Sequence, residues 1–221
     1  MSSQRKKTSG REAEAAASGE AADPGSVRGG EGPLERTLPE LLAPDLDIVF
    51  VGINPSLYAV ARGHYFARPQ NRFWPAFSGS RISEVMRTEV GVPLLRPEHD
   101  VLFPHFGFGL TDLVRRPTAQ AGHLKPSEFR DSAPDLRDRL LKVKPKLICF
   151  HGMMSYRPFL KHAMGLDDRG AELGAQPHTF AEAPLWVVPN PSPANARYSL
   201  TDLIGWYDKL HDSLTPPTPA A

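Results

Sequence analysis

The stretch DIVFVGINPSLYAVARGHYFARPQNRFW, Asp47 to Trp74, constrains the fold more than any other part of the chain. Its opening residues Ile48, Val49, Phe50 and Val51 form an uninterrupted β-rich apolar run, the pattern of a buried strand. Gly52 breaks the run, and Asn54, Pro55 and Ser56 follow on a turn. A polar residue there stands at the carboxyl end of a buried strand, the edge at which open α/β sheets hold their ligands. The turn is a candidate site on position alone.

Two more strands are expected at Lys146 to Phe150 and Leu185 to Val188, the latter reached through a polar connection containing Gly165, Gly170 and Gly174. Helices are expected over Ser83 to Val90, Ser127 to Val143, Met154 to Met164 and Ser199 to Leu214. The second has Leu136, Leu140 and Leu141 toward the core, and the last has Leu200, Leu203, Ile204, Tyr207 and Leu210 at helical spacing. Thr37 to Leu42 is read as a short turn of helix, and Pro93 to Pro104 as a packed loop. Strands alternating with helices imply an α/β fold, a mostly parallel sheet covered on both faces. The first strand is not followed by G-x-G-x-x-G, which argues against a dinucleotide fold.

At 221 residues the chain has room for one domain with a real core. Met1 to about Leu34 is rich in Ser, Gly, Ala and charge, too poor in apolar surface to offset its ordering entropy. The expected organisation is a disordered tail over residues 1–36, a domain over 37–214 and a short C-terminal tail over 215–221. A formal net charge of +1 means that any nucleic-acid contact must come from local clustering of cations. Cys149 is the single cysteine, so neither an internal disulfide nor a Cys-ligated zinc or iron–sulfur site is possible. The eight histidines show no H-E-x-x-H and no paired spacing, and no metal site is expected. No signal peptide or apolar run of membrane length is visible, so a cytoplasmic monomer is expected, without membrane contact.

A second stretch, FGFGLTDLV at Phe106 to Val114, is apolar except for Asp112. A carboxylate among Leu110, Leu113 and Val114 is costly to bury unless it is paired or useful. It has two readings at this point: a partner for Arg115 or Arg116 or a cap for the next turn, or a functional acid.

Three blocks, GINP (Gly52 to Pro55), HYFARPQNRFW (His64 to Trp74) and NPSPANAR (Asn190 to Arg197), resemble in order and spacing the uracil-DNA glycosylase superfamily, and within it the mismatch-specific uracil and thymine glycosylases. The resemblance spans about residues 44 to 212 and implies the three-layer α/β/α fold of that superfamily. It implies a hydrolase for N-glycosidic bonds that flips uracil, foremost from G·U mispairs, out of double-stranded DNA to begin base excision repair, without a cofactor. No lysine falls in the three blocks where a Schiff base would form, so no strand-cleaving step is expected. The alternative is a module that binds damaged or abasic DNA with little turnover.

Carried over by residue, Asn54 orients the attacking water; its amide offers two donors and an acceptor but is no base. The other reading of Asn54 is an Asx-turn. Asp112 stands where a related bacterial enzyme has Lys, and could serve as general base or stabilise positive charge on C1′. Phe66 is the floor for the extruded base, with Tyr65 the alternative, and main-chain groups of Ile53, Phe66 and Ala67 read the pyrimidine edge. Asn71 either contacts the base or caps the next helix. Ser56 replaces the family's glycine and is expected to narrow the space beside the base. Asn190 stands where the faster uracil enzymes have His, and Ser192 and its neighbouring amides are expected to pinch a phosphate. The wedge into the duplex is expected among Pro193, Ala194, Asn195 and Arg197.

Overall fold

The computed structural model describes residues 37–214; the tails expected at either end lie outside the described residues. Five strands form one sheet. They are β1 (Ile48–Gly52), β2 (Phe108–Asp112), β3 (Leu147–His151), β4 (Gly174–Phe180) and β5 (Ala183–Val188), in the order β2-β1-β3-β5-β4. β1, β2, β3 and β5 are mutually parallel, and only the edge strand β4 runs antiparallel, against β5. The helices are α1 (Leu57–Arg62), α2 (Phe73–Gly79), α3 (Glu84–Val90), α4 (Pro126–Val143), α5 (Met153–Ala163) and α6 (Leu200–Leu214). A 3-10 segment, Pro97–Phe106, leads into β2.

Side chains alternate along each strand, so the sheet divides its apolar residues between two cores. Ile48, Phe50, Leu110, Cys149 and Val188 pack with Phe73, Trp74 and Phe77 of α2 and with Leu203, Tyr207 and Leu210 of α6. Val49, Val51, Ile148, Phe150, Leu185 and Val187 pack on the other face with Leu136 and Leu140 of α4 and Tyr156, Phe159 and Leu160 of α5. Each such burial stabilises by about 1.5–3 kcal/mol, which is why strands this short hold. The three-layer α/β/α arrangement is as expected.

Two strands escape the sequence reading. β2 is built from the glycine-punctuated FGLTD, and β4 from the segment read as a polar connection. Thr37 to Leu42 is not helical: Leu41 instead bridges antiparallel to Leu110, exchanging backbone hydrogen bonds of 3.1 and 3.0 Å. Pro93 to Pro104, read as a loop, contains the start of the 3-10 segment, whose buried Asp100 and Phe103 hold it down.

From β1 the chain goes to one side for β2 and to the other for β3, so the strand order reverses beside β1. That is the switch point at which a crevice opens past the carboxyl ends of the strands. Gly52 is paired with Asp112 and His151 with Val188, so four strand ends meet along one rim.

Candidate active site

A cavity of about 540 Å³ opens at that rim. Its wall includes Ile53, Asn54 and Ser56 after β1, Asp112 at the end of β2, His151 at the end of β3, and Asn190, Ser192, Pro193 and Ala194 after β5. Tyr65, Phe66 and Asn71 line it from the loop between α1 and α2. Five segments far apart in sequence therefore meet at one opening, and among the proposed site residues Ala67, Asn195 and Arg197 are outside the wall.

Asn54 is held by its nitrogen. Nδ2 donates to the Arg116 carbonyl at 3.0 Å, to Thr118 Oγ1 at 2.8 Å and to the Pro55 carbonyl at 3.2 Å. Two of these partners are carbonyls, which only accept, so the orientation of the amide follows from chemistry. Thr118 in turn donates its hydroxyl proton to the Gln120 carbonyl at 2.8 Å. The amide oxygen of Asn54 is used by no group among the described residues and remains an acceptor at the cavity wall. This is not the local Asx-turn, because two partners lie more than sixty residues away.

Asp112 is 8% exposed. Of the two readings of Asp112, the partnership with Arg115 or Arg116 is not formed among the described residues: Arg116 forks onto Glu128 at 2.5 and 3.0 Å, and the Arg115 carbonyl accepts from the Thr37 hydroxyl. Nor does the carboxylate cap the following turn, for no hydrogen bond to it is made among the described residues. Burial pushes its pKa up to about 7; the positive charge of Arg139 opposes this and the negative charge of Glu40 adds to it. Arg139 reaches only the Asp112 main-chain oxygen, at 3.1 Å, and otherwise binds Glu40, Thr111 and Asp135. The carboxyl lies against Gly52, where a Cβ would come within 2.2 Å of Asp112 Oδ1. The glycine of GINP is thus the clearance for the acid.

Phe66 adopts φ +55°, a left-handed conformation unusual for an aromatic residue and maintained only when its surroundings enforce it. The surroundings are identifiable. Buried Asp100 accepts from the Tyr65 N–H at 2.8 Å and meets His64 Nδ1 at 3.0 Å, while the Trp74 indole donates to the Tyr65 carbonyl at 2.9 Å. The Phe66 ring stacks on Phe73 at 4.1 Å and 20°, and stands edge-on to His151 at 5.4 Å. Tyr65 is itself buried at the cavity wall, and burial raises its phenol pKa. Phe66, half-buried, is the exposed member of the pair.

Asn71 Oδ1 accepts from the Phe73 N–H at 2.9 Å, an Asx-turn just ahead of α2, whose cap position is Arg72 with no side-chain cap, so the expected capping role is not the one taken; Asn71 also lines the cavity. Ser56 Oγ accepts from Ala59 N–H at 3.1 Å as the cap of α1. His151 is buried; Nε2 meets the Tyr207 hydroxyl at 2.9 Å, Nδ1 has no partner among the described residues, and burial lowers its pKa to about 3, so the ring is neutral.

In the loop after β5, the amides expected to grip a phosphate are occupied internally. Ser192 N–H donates to Asn190 Oδ1 at 2.8 Å, Ala194 N–H to Ser192 Oγ at 3.3 Å, and Asn195 N–H to the Ser192 carbonyl at 3.0 Å. Asn195 Nδ2 donates to the Asn190 carbonyl at 3.0 Å, which makes it a brace within the loop. Pro193 and Ala194 are exposed at the cavity mouth; Arg197 is exposed with its guanidinium over Tyr198 at 5.6 Å.

Residues 39–210 match the family model of the uracil DNA glycosylase superfamily. The chain belongs to that superfamily. A solution NMR structure from Methanosarcina acetivorans, provisionally named a uracil DNA glycosylase, shares the fold at 23% identity and a TM-score of 0.50, over 81% of this chain and 98% of that one. The superfamily consists of hydrolases that release bases from DNA, and all residues lining the cavity except Leu38 lie inside the matched span.

Two contributors to this superfamily site were not singled out by the sequence reading. Thr118 orients Asn54 from 64 residues away, and Arg72 binds the loop after β5 from about 120 residues away. Neither role has a local signature. Arg68 lines the cavity and, with Arg62, lies over the Tyr58 ring, at 6.0 and 5.2 Å, whereas Arg81, Arg130, Arg137, Arg139 and Arg169 are in ion pairs with carboxylates.

Proposed function

We propose that this protein is a monofunctional glycosylase that draws uracil, foremost from G·U mispairs, out of double-stranded DNA and releases it by hydrolysis. The observation that carries this reading is the pairing, on one cavity wall, of an amide whose oxygen and a buried carboxyl whose charge find no hydrogen-bond or salt-bridge partner among the described residues.

The extruded base stacks on Phe66, whose ring is already backed by Phe73, so the platform needs no rearrangement to receive it. Such stacking is worth about 1–3 kcal/mol and offsets part of the unstacking cost. The bond from C1′ to the base breaks with its electron pair going to the base, and the sugar passes through an oxocarbenium-like state. Water then attacks C1′. Asn54 Oδ1 accepts one hydrogen bond from that water and sets its direction; ionised Asp112 takes its proton as the new C–O bond forms. Main-chain N–H groups around Ile53 and Phe66, both at the cavity wall, stabilise the anionic leaving base, which is finally protonated. The exposed Pro193 and Ala194 form the wedge, Ser192 offers its hydroxyl proton to phosphate, and Arg62, Arg68 and Arg197 supply a local positive face on a chain of net charge +1.

The deciding experiment is single-turnover incubation of excess protein with labelled duplexes holding G·U, A·U, G·T, hypoxanthine or ethenocytosine at one position, and with the matching single strands. Free uracil should appear fastest from G·U, with strand scission only after alkali. Tight binding without release of any base would instead establish the damage-binding module.

A further inference from the structure

Arg72 sits between Asn71 at the cavity wall and Phe73 under its floor, yet its side chain points away from both tasks and into the loop after β5. Its backbone N–H donates to the Pro191 carbonyl at 3.1 Å. Its guanidinium then donates to four carbonyls of the same loop: Nε to Pro191 at 3.4 Å, Nη2 to Ser192 at 2.8 Å and Asn195 at 2.7 Å, and Nη1 to Tyr198. A rigid fork with five N–H donors can close such a ring; an ammonium, a point charge on a flexible stem, cannot. The segment from Pro191 to Tyr198 is folded around one side chain.

The charge of that side chain is not cancelled. Among the described residues no carboxylate forms an ion pair with Arg72. Carbonyl oxygens satisfy its donors but bring no net negative charge, so a half-buried cation stands directly behind Ser192. The amides of Ser192, Ala194 and Asn195 are engaged within the loop, which leaves charge and the Ser192 hydroxyl as the means of attracting an anion there.

We infer that Arg72 is the positioning residue that preforms the DNA-facing loop and, through its uncompensated charge, draws a phosphodiester to Ser192. The inference rests on the glycosylase reading, and its two halves separate by substitution. Arg72→Lys retains the charge and loses the fork; Arg72→Gln loses both.

The test uses the full chain and a duplex carrying a tetrahydrofuran abasic site, which has no base to release, with binding measured across a potassium chloride series. Arg72→Gln should reduce the slope of log affinity against log salt by about 0.9, the value of one phosphate contact, and Arg72→Lys should restore it. Both variants should show faster amide hydrogen exchange over residues 190–198 with exchange in β1 and β3 unchanged, and single-turnover release from G·U should be slower in both. An unaltered salt slope in Arg72→Gln, or unaltered exchange in the loop of both variants, overturns the inference. Should Arg72→Gln fail to fold, Arg72→Lys alone decides, since it must combine a wild-type slope with a loosened loop. Failure of the wild type to release any base would refute the glycosylase reading while leaving the exchange result to judge the loop.

Discussion

Replacing Asp112 by Asn should make the protein more stable and less active at the same time, with both effects governed by one proton. The folded carboxyl has a pKa of about 7 because the cost of burial outweighs the nearby positive charge of Arg139, against 3.8 for the free group. Between those values the unfolded chain has released its proton and the folded chain still holds it. The folded state therefore binds more protons there, and stability falls as pH rises through that window. Three pH units at about 1.4 kcal/mol each amount to about 4 kcal/mol withdrawn from the wild type by pH 8, and not from Asp112→Asn. Denaturant unfolding of both proteins between pH 4 and 8 measures this, since every other titrating group cancels in the difference. Single-turnover release from G·U should rise with pH in the wild type, with a midpoint near 7, and be about 10²-fold slower or more in the variant at the wild-type plateau. Parallel stability curves for the two proteins would refute the argument from burial. An unchanged release rate would remove Asp112 from the chemistry.

Two further substitutions test the geometry around that acid. Gly52→Ala places a methyl 2.2 Å from Asp112 Oδ1, so the carboxyl must turn or the strands must part; release should slow by about tenfold or more and the denaturation midpoint should drop, whereas wild-type behaviour would show that the acid has freedom to move. Phe66→Leu removes the aromatic platform over Phe73. The protein concentration giving half-maximal release should rise by about 5- to 150-fold, corresponding to a stacking energy of about 1–3 kcal/mol, and an unaltered value would assign the platform to another ring.

The parts of the fold that were legible in the sequence are those whose signal is local. IVFV, LICF and LWVV are continuous apolar runs, and α4, α5 and α6 carry their spacing within themselves. β2 was obscured by its own glycine: a Cβ at Gly109 would meet Leu46 at 2.6 Å and the Leu41 carbonyl at 3.1 Å, so packing excludes the side chain that would have marked a strand. β4 was obscured because an edge strand tolerates Gln176, Pro177 and His178, and its register shifts between Ala175 and Thr179 around that proline. Thr37 to Leu42 was misread because its partner, Leu110, lies about 70 residues further on. The same division holds at the cavity. Asn54, Phe66 and the loop from Asn190 stand in recognisable blocks, but the isolation of Asp112 depends on Arg116 choosing Glu128, a choice made by α4 folding back over the loop.

The antiparallel edge strand β4 aims its carboxyl end away from the rim, while the other four strands each deliver theirs to it. Gly52, Asp112, His151 and Val188 are consequently terminal positions, supported from behind by a frame that ends one residue earlier. A lineage can exchange the acid for an amide or an amine at such a spot and alter what the crevice does to its guest, while the layers beneath keep their shape. Under the proposed function, a change of lesion would then call for edits at the tips of a few strands, with no new architecture.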